Sequence, residues 1–278
     1  MRKLISIKQK KIFKRNRSYI GIVAIVLMVI FIQAGTYLEG QKVLDFVMQN
    51  LRDTFLFQGN LLNGYLTTYI NLNTLYIHLP LLVVIVTGDL IAGESNAGTF
   101  RLLLTRPVSR SKILTAKFIS GSIYAIALVF ILAFLSLLPG IAFFGRGDLM
   151  VIGSKINIFE QNDVMWRFLA AFSFGLLSMV CIAALSFLLS LFSSNSLGPV
   201  IATMSLIIIF TIISEIDITI FRTIRPFLFS TYMNSWRLFF EIPLRGGLIL
   251  KSASVLCGHI IVFYICSLII FRKKSILS

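Results

Sequence analysis

Gly93 to Arg110 reads GESNAGTFRLLLTRPVSR, a polar interruption with four charged residues between two long apolar runs. Its punctuation is specific. Gly98 is free to take the left-handed backbone that stops a helix, and Thr99 follows as an N-cap. Phe100, Leu103 and Leu104 then share one face of a short helix, with Arg101 and Thr105 on the other. Pro107 biases Arg106 out of helix, and Ser109 is placed to cap the next run. The predicted order is helix, break, one to two turns of helix, break, helix. A helix that short is unstable alone, so its apolar face must pack against something, either the inner face of a bilayer or a soluble partner.

The runs on either side set the class. The 278-residue chain is 57% hydrophobic, with a mean hydropathy of +0.91, and only 13% charged, about half the charged share of soluble domains. Six stretches are apolar enough to cross about 30 Å of hydrocarbon: Ser18–Leu38, Asn71–Ala92, Ile113–Leu138, Trp166–Phe192, Leu197–Ser214 and Ala253–Phe271. The expected fold is an all-α integral membrane protein, one domain over 1–278. A short cytoplasmic helix lies between spans two and three. An amphipathic helix over 1–17, with Leu4, Ile5 and Ile12 set among lysines, lies on the anionic inner leaflet.

Charge sets the orientation. The N-terminal segment, the linker with Lys117 and the tail FRKKSILS place sixteen Lys and Arg on one side, with only two acids, Asp89 and Glu94. By the positive-inside rule that side is cytoplasmic. Both termini are then cytoplasmic, in a multi-pass protein of the plasma (bacterial inner) membrane. The start is read as an uncleaved first span, since IQAGTYLEG is a poor cleavage site. The net charge of +15 therefore reads as topology, and no nucleic-acid signature accompanies it. One loop strains the assignment: Glu215–Ser252, placed outside, holds five basic residues. The first outer loop, Glu39 to Ile70, carries Leu44, Val47, Met48, Leu51 and Phe55 at helical spacing, which predicts an amphipathic helix at the outer interface.

The spans lack reactive chemistry. An ion-coupled carrier needs ionisable groups at mid-membrane; only His78 and His259 are placed deep, and neither has a carboxylate three or four residues away. Cys181, Cys257 and Cys266 lack metal-ligand spacing and read as small core hydrophobes. There is no HExxH, no GxSxG and no pair of carboxylates within a span, so an enzyme, an intramembrane one included, is disfavoured, and no catalytic, cofactor or metal residue is assigned. There is also no GxxxxGK[ST], so this chain cannot cradle ATP itself. Small residues crowd span four, with Ala171/Gly175 and Ser186/Ser190 at close-packing spacing, serving either packing within the subunit or a dimer seam.

At the linker a resemblance emerges. Glu94, Gly98, Thr99, Arg101, Leu103, Leu104, Pro107, Val108, Ser109, Arg110 and Lys117 resemble, in order and spacing, the linker between spans two and three of type-2 ABC exporter permeases. Six spans, a basic amphipathic start, the segment RPFLFSTYMNSW before the last span and the terminal FRKK agree with it. The tail departs at Ser275-Ile276, where relatives often carry Asp-Ile. The resemblance implies a permease homodimer, or a pair with a paralogous permease, working with two copies of a separate ABC-type ATPase that binds ATP and Mg. It makes the Gly98–Pro107 helix the coupling helix, and Glu94, Gly98, Thr99, Phe100, Arg101, Leu103, Leu104, Arg106, Pro107, Ser109, Arg110 and Lys117 the ATPase-coupling residues. Glu94 would pin the linker to the amphipathic helix. It places a transport path at the dimer centre along spans two and five, where Tyr76, His78, Thr87, Thr203, Ser205 and Thr211 are the candidate lining. The runner-up is a non-transporting membrane subunit that passes ATPase-driven motion to a periplasmic or surface partner, which the long outer loops Glu39–Ile70, Pro139–Met165 and Glu215–Ser252 suit.

Overall fold

The computed structural model describes residues 1–52, 60–96, 98, 108–153 and 155–273. It is an α-helical membrane protein. Its elements are α1 (Arg2–Phe13), α2 (Asn16–Arg52), α3 (Gly64–Leu75), α4 (Leu79–Thr87), α5 (Asp89–Asn96), α6 (Arg110–Phe144), the strands β1 (Leu149–Ile152) and β2 (Ile156–Phe159), α7 (Gln161–Leu189), α8 (Leu197–Glu215), α9 (Thr219–Ile224), α10 (Phe229–Met233) and α11 (Gly246–Lys273). Among the described residues, six helical stretches are long and apolar enough to cross a membrane: Asn16–Gln49, Leu79–Asn96, Arg110–Phe144, Gln161–Leu189, Leu197–Glu215 and Gly246–Lys273.

The second and fourth of these form the core. Their apolar windows are 72% and 67% buried, against 17% for the first, fifth and sixth. In the fourth, Ala171, Gly175, Ser186 and Ser190 are all buried within the subunit, so the small-residue spacing serves internal packing. Gly175 faces the Tyr76 ring, 3.5 Å from where a Cβ would stand. The two ends of the chain meet on one side: Arg272 at the end of α11 donates to Ser111 at the start of α6, 2.9 Å, while α1 packs on α6. We call this the near side.

Several spans differ in extent from the sequence expectation. α2 does not stop at Leu38 but runs unbroken to Arg52, so Leu44, Val47 and Met48 continue the first span instead of forming a separate interfacial helix. Leu51 and Phe55 contribute no described side chain. Extending a formed helix costs little compared with nucleating a new one, and Gly40 alone is a weak breaker at about 1 kcal/mol. The second span is not one helix over Asn71–Ala92. It is interrupted at Tyr76–His78 and again at Gly88, and Pro80 at the start of α4 accounts for the first break because it has no N–H to donate back.

The third span passes through Pro139 to Phe144, where the sequence reading stops it at Leu138. Pro139 leaves the Leu135 carbonyl, four residues back, without its helical donor. Gln33 of α2 supplies one: its Nε2 donates to Leu135 O at 3.0 Å and to Ser136 O at 3.4 Å, and Thr68 of α3 donates to Ser136 O at 3.0 Å. Here α3 and α6 also meet backbone to backbone, since a Cβ on Gly64 would fall 2.5 Å from the Gly140 carbonyl. Such backbone contact is the use of small residues in membranes.

The far side carries what an all-α reading leaves out. β1 and β2 form an antiparallel hairpin, Leu149 opposite Phe159 and Ile152 opposite Ile156. Its signal was present in LMVIGSKINIF, two β-prone runs about a Gly-Ser turn. Asn63 joins this hairpin to α3: its Oδ1 accepts from the backbone N–H of Tyr65 and Leu66, and its Nδ2 donates to Asp148 O at 2.7 Å. The stretch read as the loop Glu215–Ser252 is largely structured. It holds α9, α10 and two 3-10 turns, Arg225–Phe227 and Asn234–Phe240, that bury Phe229, Trp236 and Phe240, and the last span starts at Gly246, not Ala253.

Candidate functional site: an ionic clamp and a far-side cavity

The predicted short helix, with Thr99, Phe100, Arg101, Leu103, Leu104, Arg106 and Pro107, lies outside the described residues. Its flanks do not. Gly98 takes φ +65°, the left-handed conformation expected of it, and its N–H bonds Ser95 O at 3.1 Å. Ser109 stands at the N-cap position of α6 in extended backbone, but its hydroxyl makes no capping bond. Arg110 donates to the Arg272 carbonyl at 3.4 Å.

Immediately before the linker, the two acids of the basic side meet five cations. Glu94, 4% exposed, receives Lys8 at 3.3 Å and Lys11 at 3.1 Å on one oxygen and Lys117 on the other. Lys117, itself 2% exposed, also donates to the Leu90 carbonyl at 2.5 Å. One helical turn earlier, Asp89 receives Arg15, Arg17 at 2.8 Å and the hydroxyl of Ser196. Gly93 makes room for this, because a Cβ there would stand 2.3 Å from an Asp89 carboxylate oxygen. Burying charges is costly unless they are paired and hydrogen-bonded, and here each carboxylate has at least three donors. The space enclosed is about 30 Å³, roughly one water, so this is a joint and not a ligand pocket.

The joint ties together α1 and the turn after it, the start of α2 at Arg17, α5, α6 and the turn before α8. Ser18 closes α1 by donating to Ile12 O at 2.7 Å, and Tyr124 of α6 donates to Ser18 O at 3.3 Å. Of the sequence-named coupling residues, Glu94 and Lys117 meet here. Glu94 reaches the amphipathic helix through Lys8 and Lys11, while Arg15, Arg17 and Asp89, which the sequence marks as charges of the basic side, form the second half of the joint. The signal that would have found them is that Asp89 and Glu94 are the sole acids facing sixteen cations.

The six candidate lining residues separate. Tyr76, His78 and Thr211 border a far-side cavity of about 620 Å³ between the α3–α4 junction, α8 and the Asn234–Phe240 turn. Tyr76 is buried and donates to Met233 O at 2.7 Å. Thr87 and Thr203 are buried and bond their own helices, to Val83 O and Pro199 O. Ser205 is on the exposed face of α8. The histidines are not deep in the bundle: His78 is exposed, and His259 is half-buried between Phe229 and Phe263 with its ring nitrogens near the Val255 and Phe227 carbonyls. Among the described residues, no group of three or more His, Cys, Asp or Glu is placed to hold a metal ion.

The chain is similar to the Bacillus subtilis (strain 168) protein called "Uncharacterized protein YhcI", at 27% identity over 202 residues, covering 70% of this chain and 64% of that protein. It thus spans just under two thirds of the length of the curated relative it matches. Residues 21–277 match the family described as "Protein of unknown function (DUF2705)", and over that span the chain belongs to this family.

Proposed function

We propose that this chain is the membrane-spanning subunit of an ATP-driven exporter of the type-2 ABC kind, with ATP and Mg handled by two copies of a separate ATPase. The observation that carries the reading is the ionic clamp. It makes α1 and the near-side ends of the second and third spans one unit at the root of the linker, where a soluble motor would push. ATP bound elsewhere shifts a two-state bundle only through contacts that differ between the states. In this reading the apolar face Phe100, Leu103 and Leu104 makes those contacts, and the clamp passes the displacement to the second span, whose breaks at Gly88 and Tyr76–His78 are places for it to bend. The cavity between spans two and five is the corresponding path. The poorly buried first, fifth and sixth spans leave room for a second copy of the chain among the lipids. The near side is cytoplasmic, with both termini, in the plasma membrane.

Replacing Leu103 and Leu104 by Asp tests the docking role. In vesicles holding the chain and its ATPase, hydrolysis should continue while ATP-dependent transport falls at least tenfold, with membrane insertion unchanged. Full transport in that mutant excludes the role.

A second reading, a non-transporting subunit that drives a far-side partner, is favoured by α2. Its 37 residues span about 55 Å, some 25 Å more than the hydrocarbon, and with β1 it borders an apolar groove of about 450 Å³. Stable co-purification with a periplasmic protein, without ATP-dependent efflux, selects this reading.

A further inference from the structure

We infer that the far-side cavity is a binding site for an anionic amphiphile, its head group held by Arg237 beside Trp236 and its tail lying along α8. This rests on the transporter reading only in naming the class of cargo.

Three features of the cavity point the same way. Arg237 at its mouth donates to Asn73 Oδ1 at 2.8 Å and lies 5.6 Å above the Trp236 ring. That hydrogen bond uses one of the five N–H donors of a guanidinium, and no described acid pairs with it. Two acids near it in sequence are engaged elsewhere, Glu241 with Arg245 at 3.2 Å and Asp217 with Arg222 at 2.7 Å. The field at the mouth is therefore positive and open to an anion.

Trp236 is the second feature. It is fully buried, lines the cavity, and its Nε1–H has no hydrogen-bond partner. A buried donor left unmet costs about 1–3 kcal/mol, and an indole nitrogen can only donate. Nε1 is closed off from the cavity as it stands, so a carboxylate or phosphate oxygen satisfies it once the wall shifts, whereas an ammonium cannot and would also face Arg237.

The wall is the third. Ile207, Ile208 and Ile212 of α8, with Ile77 and Pro80, give the cavity an aliphatic wall beside its polar lining. Ile208 and Ile212 lie on the exposed face of α8, so this wall is open to an alkyl chain entering from the bilayer. A charge and an aliphatic wall in one cavity match an anionic head on a hydrocarbon tail, and neither a free inorganic anion nor a neutral lipid uses both.

The chain has two tryptophans, Trp166 and Trp236, so full-length Trp166→Phe protein in zwitterionic nanodiscs reports on the site alone. Dodecyl phosphate should change the Trp236 emission saturably, and dodecyltrimethylammonium should bind at least tenfold more weakly. Arg237→Gln should weaken dodecyl phosphate by about tenfold or more, the worth of a charged hydrogen bond, while Arg237→Lys, a control for folding, keeps most of the affinity. Equal response to the two amphiphiles, an unsaturable signal, or unchanged affinity in Arg237→Gln overturns the inference. Selective binding without ATP-dependent transport in the presence of the ATPase keeps this site and excludes the exporter reading. Transport indifferent to Arg237 and to head-group charge does the reverse.

Discussion

Gln33 and Pro139 illustrate how a membrane protein handles one missing hydrogen bond. The stretch around Ser136 is buried in the bundle, so a carbonyl released there by proline must find a side chain. Gln33 sits one helix away with its amide on Leu135 O, and its own burial is tolerable because it has this acceptor. Substituting Gln33 by Leu removes the donor and leaves the carbonyl unmet. The expected loss is about 1 kcal/mol, within the range for interhelical hydrogen bonds in membranes, read as a lower melting temperature in detergent. Substituting both Gln33 by Leu and Pro139 by Ala should recover part of it, since the helix then supplies its own donor. A melting temperature unchanged in the single variant would remove Gln33 from this role.

At the scale of elements, the spans are joined by contacts of two kinds. α3 and α6 meet backbone to backbone at Gly64 and Gly140, and this places α3 against the long third span while Asn63 fixes its start. Any side chain at position 64 meets main-chain atoms that cannot rotate away. Gly64→Val should therefore separate the two helices and destabilise the fold by 2 kcal/mol or more, of the order of overpacking in a core, measured as loss of the folded peak by thermal size-exclusion. The aromatic residues of the far-side turn make the second kind. Phe240 touches Tyr69, Phe159 and Phe168, with ring centroids 5.2, 6.3 and 5.0 Å away, so one residue from the segment read as a loop holds α3, the hairpin and α7 together.

For the whole molecule, the clamp decides what moves together. Glu94 holds three lysines from two elements, and removing its charge strands Lys117 at 2% exposure. Losing one partner of a buried pair costs about 3–5 kcal/mol. Glu94→Gln should thus release α1 from the bundle before the spans themselves unfold. Limited trypsin digestion is expected to cut at Lys10, Lys11 or Lys14 at least tenfold faster than in the unaltered chain, with the remaining spans intact. Equal cleavage would mean that the apolar face, through Ile12 and Phe13, and the Asp89 pairs with Arg15 and Arg17 suffice to hold α1.

Much of this was legible in the sequence because membranes impose simple rules. Hydrocarbon thickness and the cost of exposed backbone polar groups dictate about twenty apolar residues in helical form, so the number and order of the spans follow from composition along the chain. The left-handed Gly98 follows from local sterics, and the asymmetry of Lys and Arg marks one side. Tertiary structure decided the rest, for reasons that no local pattern carries. Whether a helix stops at Pro139 depends on a donor 106 positions earlier, Gln33. Whether α2 ends at the bilayer depends on what its extension packs against. Whether the charges of the N-terminal segment only orient the chain, or also lock it, depends on Asp89 and Glu94 lying in space beside Lys8, Lys11, Arg15 and Arg17, some seventy to ninety residues away in sequence. A charge pair is a statement about distance, and only folding sets the distance.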